Sequence, residues 1–218
     1  MRLNELFLSI QGETSSAGLP TIFVRFTGCN LRCTYCDTKY SYYEGDPITP
    51  EQVMEQIRAL KVKRVCLTGG EPLIQPRQET QVLLDMLANE GYEVSIETDG
   101  SIDISKYTMH ENQRFIVDMK VPSSGMSERM HWANLRHLVP NRDEVKFVVG
   151  NREDYEWCTN LVREYDLDPA KGYQLIFSPI FREIELEQLV NWILEDGLDA
   201  RFQVQLHKIV WDPDKRGV

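Results

Sequence analysis

Residues 21–38 read TIFVRFTGCNLRCTYCDT, a stretch that joins a strand pattern directly to three closely spaced cysteines. The first six residues are β-branched or aromatic apart from Arg25, which is typical of a buried strand. Cys29, Cys33 and Cys36 follow with the spacing C-x3-C-x2-C. Three thiols are one fewer than a structural zinc site needs, and they cannot all pair in disulfides. The stretch therefore predicts a strand that ends in a metal-binding loop.

Two kinds of metal site fit three thiols at this point. A zinc site needs a fourth ligand, for which the candidates are His110, His131, His137 and His207, none of them at the usual His-x3–5-His spacing. A four-iron cluster held by three cysteines leaves one iron open, and an open metal position is typical of catalysis. The remaining cysteines, Cys66 and Cys158, lie in apolar patterns and are expected to be buried.

Strand and helix patterns alternate along the rest of the chain. A capping box from Thr49 to Gln52 opens the first helix. Further helices are expected at 79–90, near 128–138, at 153–165 and at 185–195, and strands at 64–68, 92–98, 115–119, 145–149, 173–178 and 202–207. Residues 6–18, LFLSIQGETSSAG, read as a strand and turn outside this alternation, in an N-terminal β-hairpin.

This order predicts an α/β fold. About six strand–helix units are too few for a closed eight-fold barrel, so we expect a partial, open βα barrel with a parallel sheet, built as one domain over residues 1–218. Functional groups collect at the carboxyl ends of such strands. The cysteine loop, Gly69-Gly70 and Thr98-Asp99-Gly100 all fall at such ends, which predicts one shared site.

The helix patterns also predict inward faces. The residues expected to face the core are Val82, Leu83, Met86 and Leu87 in one helix, Tyr155, Cys158, Leu161 and Val162 in the next, and Leu186, Leu189, Val190, Ile193 and Leu194 in the last.

Composition excludes several classes of protein. The formal net charge of −10 at pH 7 argues against a broad nucleic-acid-binding face, which requires a basic stripe. No apolar run approaches the roughly 20 residues of a membrane-spanning helix, and the N-terminus does not resemble a signal peptide. We expect a cytoplasmic protein with reduced thiols.

The motifs together resemble the radical S-adenosylmethionine (SAM) enzymes. GCNLRCTYCDT matches the loop that holds their 4Fe–4S cluster, Gly69-Gly70-Glu71-Pro72 matches their GGEP motif, and Glu97-Thr98-Asp99-Gly100 resembles their ETNG segment. The resemblance implies that Cys29, Cys33 and Cys36 bind the cluster, whose open iron binds SAM. The SAM contacts it implies are Tyr35, Cys36, Asp37, Gly69, Gly70, Glu71, Thr98, Lys120, Pro122, Ser123, Phe177, Ser178, Pro179 and Ile180.

Nearly the whole chain, including LFLSIQGETSSAG and the ending QLHKIVWDPDKRGV, resembles the 7-carboxy-7-deazaguanine synthase family of the queuosine pathway. That family converts 6-carboxy-5,6,7,8-tetrahydropterin to 7-carboxy-7-deazaguanine with loss of ammonia, regenerates SAM and is supported by Mg2+. The resemblance implies that Thr38 binds Mg2+ and that Arg25 pairs with a substrate carboxylate. The substrate residues it implies are Ile10, Gln11, Gly12, Glu13, Arg25, Thr68 and His207.

The resemblance also implies a homodimer and an electron donor such as flavodoxin. It assigns no general acid or base, and it predicts no role for the tail from Trp211 to Val218. Two alternatives remain at this stage. One is another radical SAM enzyme, such as a glycyl-radical activase, which acts on a protein. The other is a zinc-stabilised binding module.

Overall fold

A single nine-stranded sheet organises the chain. The computed structural model describes residues 1–218, and its strands lie in the order β3-β1-β2-β4-β5-β6-β7-β8-β9. β1 pairs antiparallel with β2 and β3, and every other pairing is parallel. The strands are β1 Arg2–Ile10, β2 Pro20–Phe26, β3 Asp46–Pro47, β4 Arg64–Gly69, β5 Glu93–Thr98, β6 Gln113–Asp118, β7 Glu144–Val149, β8 Gln174–Pro179 and β9 Arg201–Phe202. Because β3 and β9 are edges, the sheet is open, which confirms the expected partial barrel and its N-terminal hairpin.

Six helices connect the strands. They are α1 Pro50–Arg58, α2 Arg77–Asn89, α3 Asn134–His137, α4 Arg152–Glu164, α5 Leu186–Glu195 and α6 His207–Val210. The predicted capping box of α1 is confirmed, since the side chains of Thr49 and Gln52 each accept from the other's backbone N–H. Short 3-10 helices lie at Lys39–Tyr42, Pro72–Ile74, Ile104–Lys106, Pro122–Ser124, Ser127–Arg129 and Pro169–Lys171. The helix expected near 128–138 is therefore reduced to a 3-10 turn and the single turn of α3.

Three apolar residues expected in the core are exposed instead. Val82 is 43% exposed, and Leu84 takes its place on the buried face of α2. Leu186 and Leu194 are 48% and 71% exposed, and α5 buries only Leu189 and Ile193 completely. The reason is that α5 packs beside the edge strand β9, which has only two residues and offers little apolar surface. By contrast, α4 buries its predicted face in full.

The prediction of a strand at 202–207 is also wrong. β9 ends at Phe202, and the chain then turns toward the loop that follows β1. The Leu206 N–H donates to the Gly12 carbonyl at 3.0 Å, and the Gln203 side chain donates to the Thr14 carbonyl at 2.8 Å. The Leu206 bond takes the place of sheet pairing, so His207 begins the short helix α6 instead of ending a strand.

The loop at residues 11–18 crosses the amino-terminal side of the sheet. Ser15 bonds the buried Glu144 carboxylate at the start of β7. Arg114 on β6 reaches Ser16 and also pairs with Glu144 at 3.1 Å. The loop therefore closes the space inside the open barrel from below. No helix of the chain is both long and apolar enough to cross a membrane.

Candidate active site

One cavity of about 910 Å³ lies inside the curved sheet, at the carboxyl ends of the parallel strands. The loops after β2, β4, β5, β6 and β8 reach it, as the sequence predicts. The expected site residues that line it are Ile10, Gln11, Gly12, Glu13, Arg25, Cys29, Cys33, Tyr35, Cys36, Asp37, Thr38, Thr68, Gly69, Gly70, Thr98, Lys120, Ile180 and His207. The fold thus brings residues from nearly the whole chain to one space.

The three cysteines of the loop are free thiols that line this cavity. The Leu31 N–H points at the Cys29 sulfur at 3.4 Å. Burial raises the pKa of Cys29 to about 12 and that of Cys33 to about 11. No three His, Cys, Asp or Glu side chains converge on a position for a single ion. Three thiols form a soft donor set, which suits an iron–sulfur cluster, and binding to its iron would deprotonate them.

The glycine pair after β4 packs directly against the cysteine loop. The Glu71 N–H donates to the Gly28 carbonyl at 2.8 Å, and the Gly70 N–H donates to the Phe26 carbonyl at 3.2 Å. A Cβ on Gly70 would lie 2.7 Å from the Cys29 Cβ and closer still to the Gly28 carbonyl. Only glycine therefore allows the two loops to approach this closely.

Glu71 lies behind the cavity wall and is fully buried. Its carboxylate accepts from the Leu73 N–H at 2.8 Å, the Thr98 hydroxyl at 3.0 Å and the Asp99 N–H at 2.5 Å. Burial, followed by the nearby Asp99 charge, raises the pKa of Glu71 well above its ordinary value. Glu71 therefore ties the loop after β4 to the loop after β5, so its side chain holds this part of the cavity wall.

The floor of the cavity carries paired charges. Lys146 on β7 forms an ion pair with Glu13, and the Gln11 side chain donates to Glu97 at 3.0 Å. Burial alone would raise the pKa of Glu13, but the Lys146 ammonium lowers it below its ordinary value. Burial raises the pKa of Glu97. The floor therefore presents carboxyl and amide oxygens, which can accept bonds from the N–H edge of a heterocycle.

Arg25 lies on the β2 side of the cavity, paired with Glu5 at 2.8 Å. Tyr40 donates to the same carboxylate at 2.8 Å, and the Arg25 guanidinium lies 5.9 Å from the centroid of the Tyr40 ring. Arg25 thus presents a fixed positive charge at the cavity, held by a neighbouring carboxylate and an aromatic ring.

A second charged group follows the cysteine loop. The Thr38 hydroxyl donates to one Asp37 oxygen at 2.8 Å, and the Lys208 ammonium of α6 lies 2.6 Å from the other. His207 also lines the cavity, and burial lowers its pKa, so its imidazole is neutral at pH 7. For Mg2+, Thr38 offers one hard oxygen, which fits an ion whose other ligands are water and substrate.

Six expected SAM residues do not line the cavity: Glu71, Pro122, Ser123, Phe177, Ser178 and Pro179. Phe177 belongs to the core, where its ring lies 5.1 Å from that of Phe147. Ser123 bonds Asp154 at the start of α4. These side chains therefore hold neighbouring backbone in place. Among the histidines considered for zinc, only His207 reaches the cavity.

Among the charged residues that line the cavity, Asp118, Lys146 and Lys208 lie outside every motif of the sequence and were not predicted as ligand contacts. For Asp118 and Lys146 a signal existed, because each interrupts an apolar strand pattern, in FIVDM and VKFVV. The tail at residues 212–218 also lines the cavity, with Arg216 3.7 Å from the Tyr40 ring centroid. Nothing in the sequence of the tail indicated this.

Comparisons with known proteins agree with this geometry. The profile of the Radical SAM superfamily matches residues 23–120. The chain is 37% identical over 231 residues to a 7-carboxy-7-deazaguanine synthase of Koribacter versatilis, covering 100% of both. It is 38% identical over 220 residues to one of Chlorobaculum tepidum, covering 100% of this chain and 97% of that protein.

Solved structures show the same fold. The crystal structure of QueE from Escherichia coli matches with a TM-score of 0.74 at 24% identity over 93% of both chains. Streptococcus suis SuiB bound to its precursor peptide SuiA matches with a TM-score of 0.59 at 12% identity, over 84% of this chain and 47% of that one.

Proposed function

Because the chain belongs to the 7-carboxy-7-deazaguanine synthase family of radical SAM enzymes, we propose that it converts 6-carboxy-5,6,7,8-tetrahydropterin to 7-carboxy-7-deazaguanine with release of ammonia. One observation supports this most directly. The cysteine loop, the Gly69-Gly70 turn, the Arg25 cation and the floor of oxygen acceptors all line the same cavity. That cavity can hold a cofactor and a small heterocycle side by side.

The residues that would hold the cofactors are on the cysteine loop and on the loops after β4 and β5. Cys29, Cys33 and Cys36 would bind the cluster, and the backbone of Gly69 and Gly70 would approach the amino acid part of SAM. When bound, cluster and SAM supply the radical that removes a hydrogen atom from the substrate. The protein contributes orientation and the exclusion of water around the reacting carbon.

The substrate would lie over the floor. Gln11, Glu13 and Glu97 offer acceptors for the amino and ring N–H groups of a pterin, while Arg25 offers a planar cation to its carboxylate. Thr38 would hold Mg2+ together with substrate and water oxygens. Ile10, Gly12, Thr68 and His207 would complete the walls. We assign no general acid or base.

The central test is an anaerobic reaction of the reconstituted protein with the carboxytetrahydropterin, SAM, Mg2+ and reduced flavodoxin. We expect 7-carboxy-7-deazaguanine and ammonia, detected by mass spectrometry, with SAM regenerated. Cys33→Ala should abolish both the brown cluster absorbance and turnover, whereas Cys158→Ala, outside the loop, should keep both. An active cluster that cleaves SAM but gives no deazaguanine would point to another radical SAM reaction. A colourless, zinc-loaded protein would contradict the radical chemistry itself.

A second test addresses Arg25. Arg25→Met should raise KM for the substrate on the order of a hundredfold, because a charge-assisted bidentate contact is lost. The matched control is Arg64→Met on the neighbouring strand, where the arginine pairs with Glu93 outside the cavity. An Arg25 variant with an unchanged KM would show that the substrate carboxylate lies elsewhere.

A further inference from the structure

A lysine ammonium lies beside the residue proposed to hold Mg2+. Lys208 is the second residue of α6, and its side chain is only 8% exposed. Its Nζ lies 2.6 Å from Oδ2 of Asp37, while Oδ1 of Asp37 accepts from the Thr38 hydroxyl at 2.8 Å. The three groups form one short chain, from ammonium to carboxylate to hydroxyl, and all three residues line the cavity.

The placement of Lys208 is built into the fold. The Leu206 N–H donates to the Gly12 carbonyl at 3.0 Å, which fixes the start of α6 on the loop that carries the substrate residues. A Cβ on Gly12 would overlap the His207 ring, so α6 and this loop are in direct contact. The Lys208 Nζ also lies 5.2 Å from the centroid of the Phe181 ring. Lys208 is thus held at the cavity and is not a freely moving surface lysine.

Two physical consequences follow for a divalent cation at Thr38. First, the ammonium neutralises Asp37, which is the nearest carboxylate and otherwise a good Mg2+ ligand. Second, by cancelling the Asp37 charge the ammonium removes the repulsion that this carboxylate would exert on an anionic substrate group at the metal position. Both effects act in the same direction, because each lowers the benefit that Mg2+ brings to substrate binding.

We propose that Lys208 is a specificity-determining cation that takes over part of the role of Mg2+ in binding the substrate carboxylate, so that this chain depends only weakly on the metal. This inference rests on the proposed function, since it concerns the same substrate and the same cavity.

The test measures binding without turnover. Reconstituted protein with SAM but no reductant is titrated anaerobically with 6-carboxy-5,6,7,8-tetrahydropterin, once with EDTA and once with excess Mg2+. We expect Mg2+ to tighten binding by the wild type only a few-fold. Lys208→Met should bind on the order of tenfold more weakly in EDTA and recover most of that loss with Mg2+. Lys208→Arg keeps the charge and should recover most of the binding in EDTA, whereas Lys61→Met, an exposed lysine outside the cavity, should behave like the wild type.

A direct metal readout complements this titration. Mn2+ binding without substrate, followed by the loss of the free-ion signal in electron paramagnetic resonance, should be tighter in Lys208→Met because Asp37 is released. Equal Mg2+ effects in wild type and Lys208→Met would overturn the inference while leaving the proposed function intact. Wild-type protein that binds no pterin even with SAM and Mg2+ would overturn the proposed function, and this inference with it. Iron content and circular dichroism check that every variant is folded.

Discussion

The thiols of Cys29 and Cys33 lie in a cavity that disfavours their charged form. Burial is the largest cause, and it raises the pKa of Cys29 to about 12 and that of Cys33 to about 11. Because the thiolate is the reactive form, both cysteines should be slow nucleophiles until iron binds them. Cluster assembly must then release protons, so it should proceed faster as the pH rises.

Alkylation of the metal-free protein tests this. At pH 8, iodoacetamide should modify Cys29 and Cys33 on the order of a hundredfold more slowly in the folded protein than in urea, where the ordinary thiol pKa of about 8.5 returns. The folded rate should rise about tenfold per pH unit up to about pH 11. Peptide mass spectrometry resolves the two sites. Equal rates in the folded and unfolded chain at pH 8 would contradict the pKa shift.

Glu71 provides a second prediction at the level of one residue. Glu71→Ala leaves the Leu73 and Asp99 N–H groups and the Thr98 hydroxyl without their acceptor, in a buried place. We expect a loss of about 3 kcal/mol in the free energy of unfolding, and weaker SAM binding. Urea titration of the metal-free protein measures the first. The control Glu93→Ala removes an exposed partner of Arg64 and should cost less than about 1 kcal/mol. Equal costs would show that Glu71 does not tie the loops.

At the level of residues, the sequence motifs pointed to groups that the fold does bring together. The cysteine loop and the glycine pair can be recognised from the spacing of their residues in the sequence, and the fold brings both to one cavity. Lys208 has no such signal, and for Lys146 the sequence shows only a charge within an apolar strand pattern, because the partners of these lysines, Glu13 and Asp37, lie far away in the sequence. Contacts of this kind are created only by the folded chain.

At the scale of elements, the site depends on how closely two loops approach. The loops after β2 and β4 meet at Gly28, Cys29 and Gly70. Gly70→Ala would force its Cβ against backbone of the cysteine loop, so the loop must move. We expect most of the bound iron and sulfide to be lost after reconstitution, with the fold kept. Iron and sulfide assays and the brown absorbance provide the measurement.

The control for Gly70 is Gly91, which follows α2. Gly91 has φ +71, and an added Cβ there would meet nothing within 4 Å. Gly91→Ala should therefore lower stability through backbone strain yet keep its full iron content. If Gly70→Ala binds iron like wild type, the close approach is not required for the cluster.

Helices could be predicted from the sequence where their capping residues and apolar periodicity agree with the faces that the fold buries. The capping box starts α1, and the periodicity of α4 matches its buried face. Prediction failed at the sheet edge, where Leu186 and Leu194 have an apolar pattern but little surface to cover them. It also failed at 202–207, because the Gly12 carbonyl takes the Leu206 N–H that a strand would use, while the Thr14 carbonyl holds the Gln203 side chain. Local pattern alone cannot reveal such competition.

At the scale of the whole molecule, the space inside an open barrel must be covered at the amino-terminal side of the sheet, and the loop at residues 11–18 covers it. The loop starts from β1 near one edge and bonds β6, β7 and the segment after β9. Glu13 and Lys146 form the tie that faces the cavity. Both residues are buried, so neither charge is well solvated without the other.

Lys146→Met should reverse the response of stability to pH. In the wild type, Lys146 lowers the pKa of Glu13 below 4.5, so the stabilisation is present above that pH and is lost as the pH falls through the lowered value. In the variant, burial remains the largest cause and is opposed only by the Gln205 hydrogen bond and by His207, so we expect the pKa of Glu13 to rise. The variant should lose about 3–5 kcal/mol at pH 7 and regain part of it as the pH falls toward 5, because protonation removes the buried charge.

Urea titrations at pH 7 and pH 5 separate these cases. In the wild type, the contribution of Glu13 to the free energy of unfolding should change little between pH 7 and pH 5. The Lys146→Met variant should become more stable at pH 5. Adding Glu13→Gln to Lys146→Met should remove the part of this pH response that belongs to Glu13 and recover part of the stability at pH 7, since the Glu13 charge that lost its partner is no longer there. Lys171→Met, which breaks an exposed pair with Asp166, controls for the loss of any lysine. A Lys146→Met variant that becomes less stable from pH 7 to pH 5 would contradict this prediction. Glu13 would then have solvent or another cation as its partner. The closure of the barrel would not depend on the pair of Glu13 and Lys146.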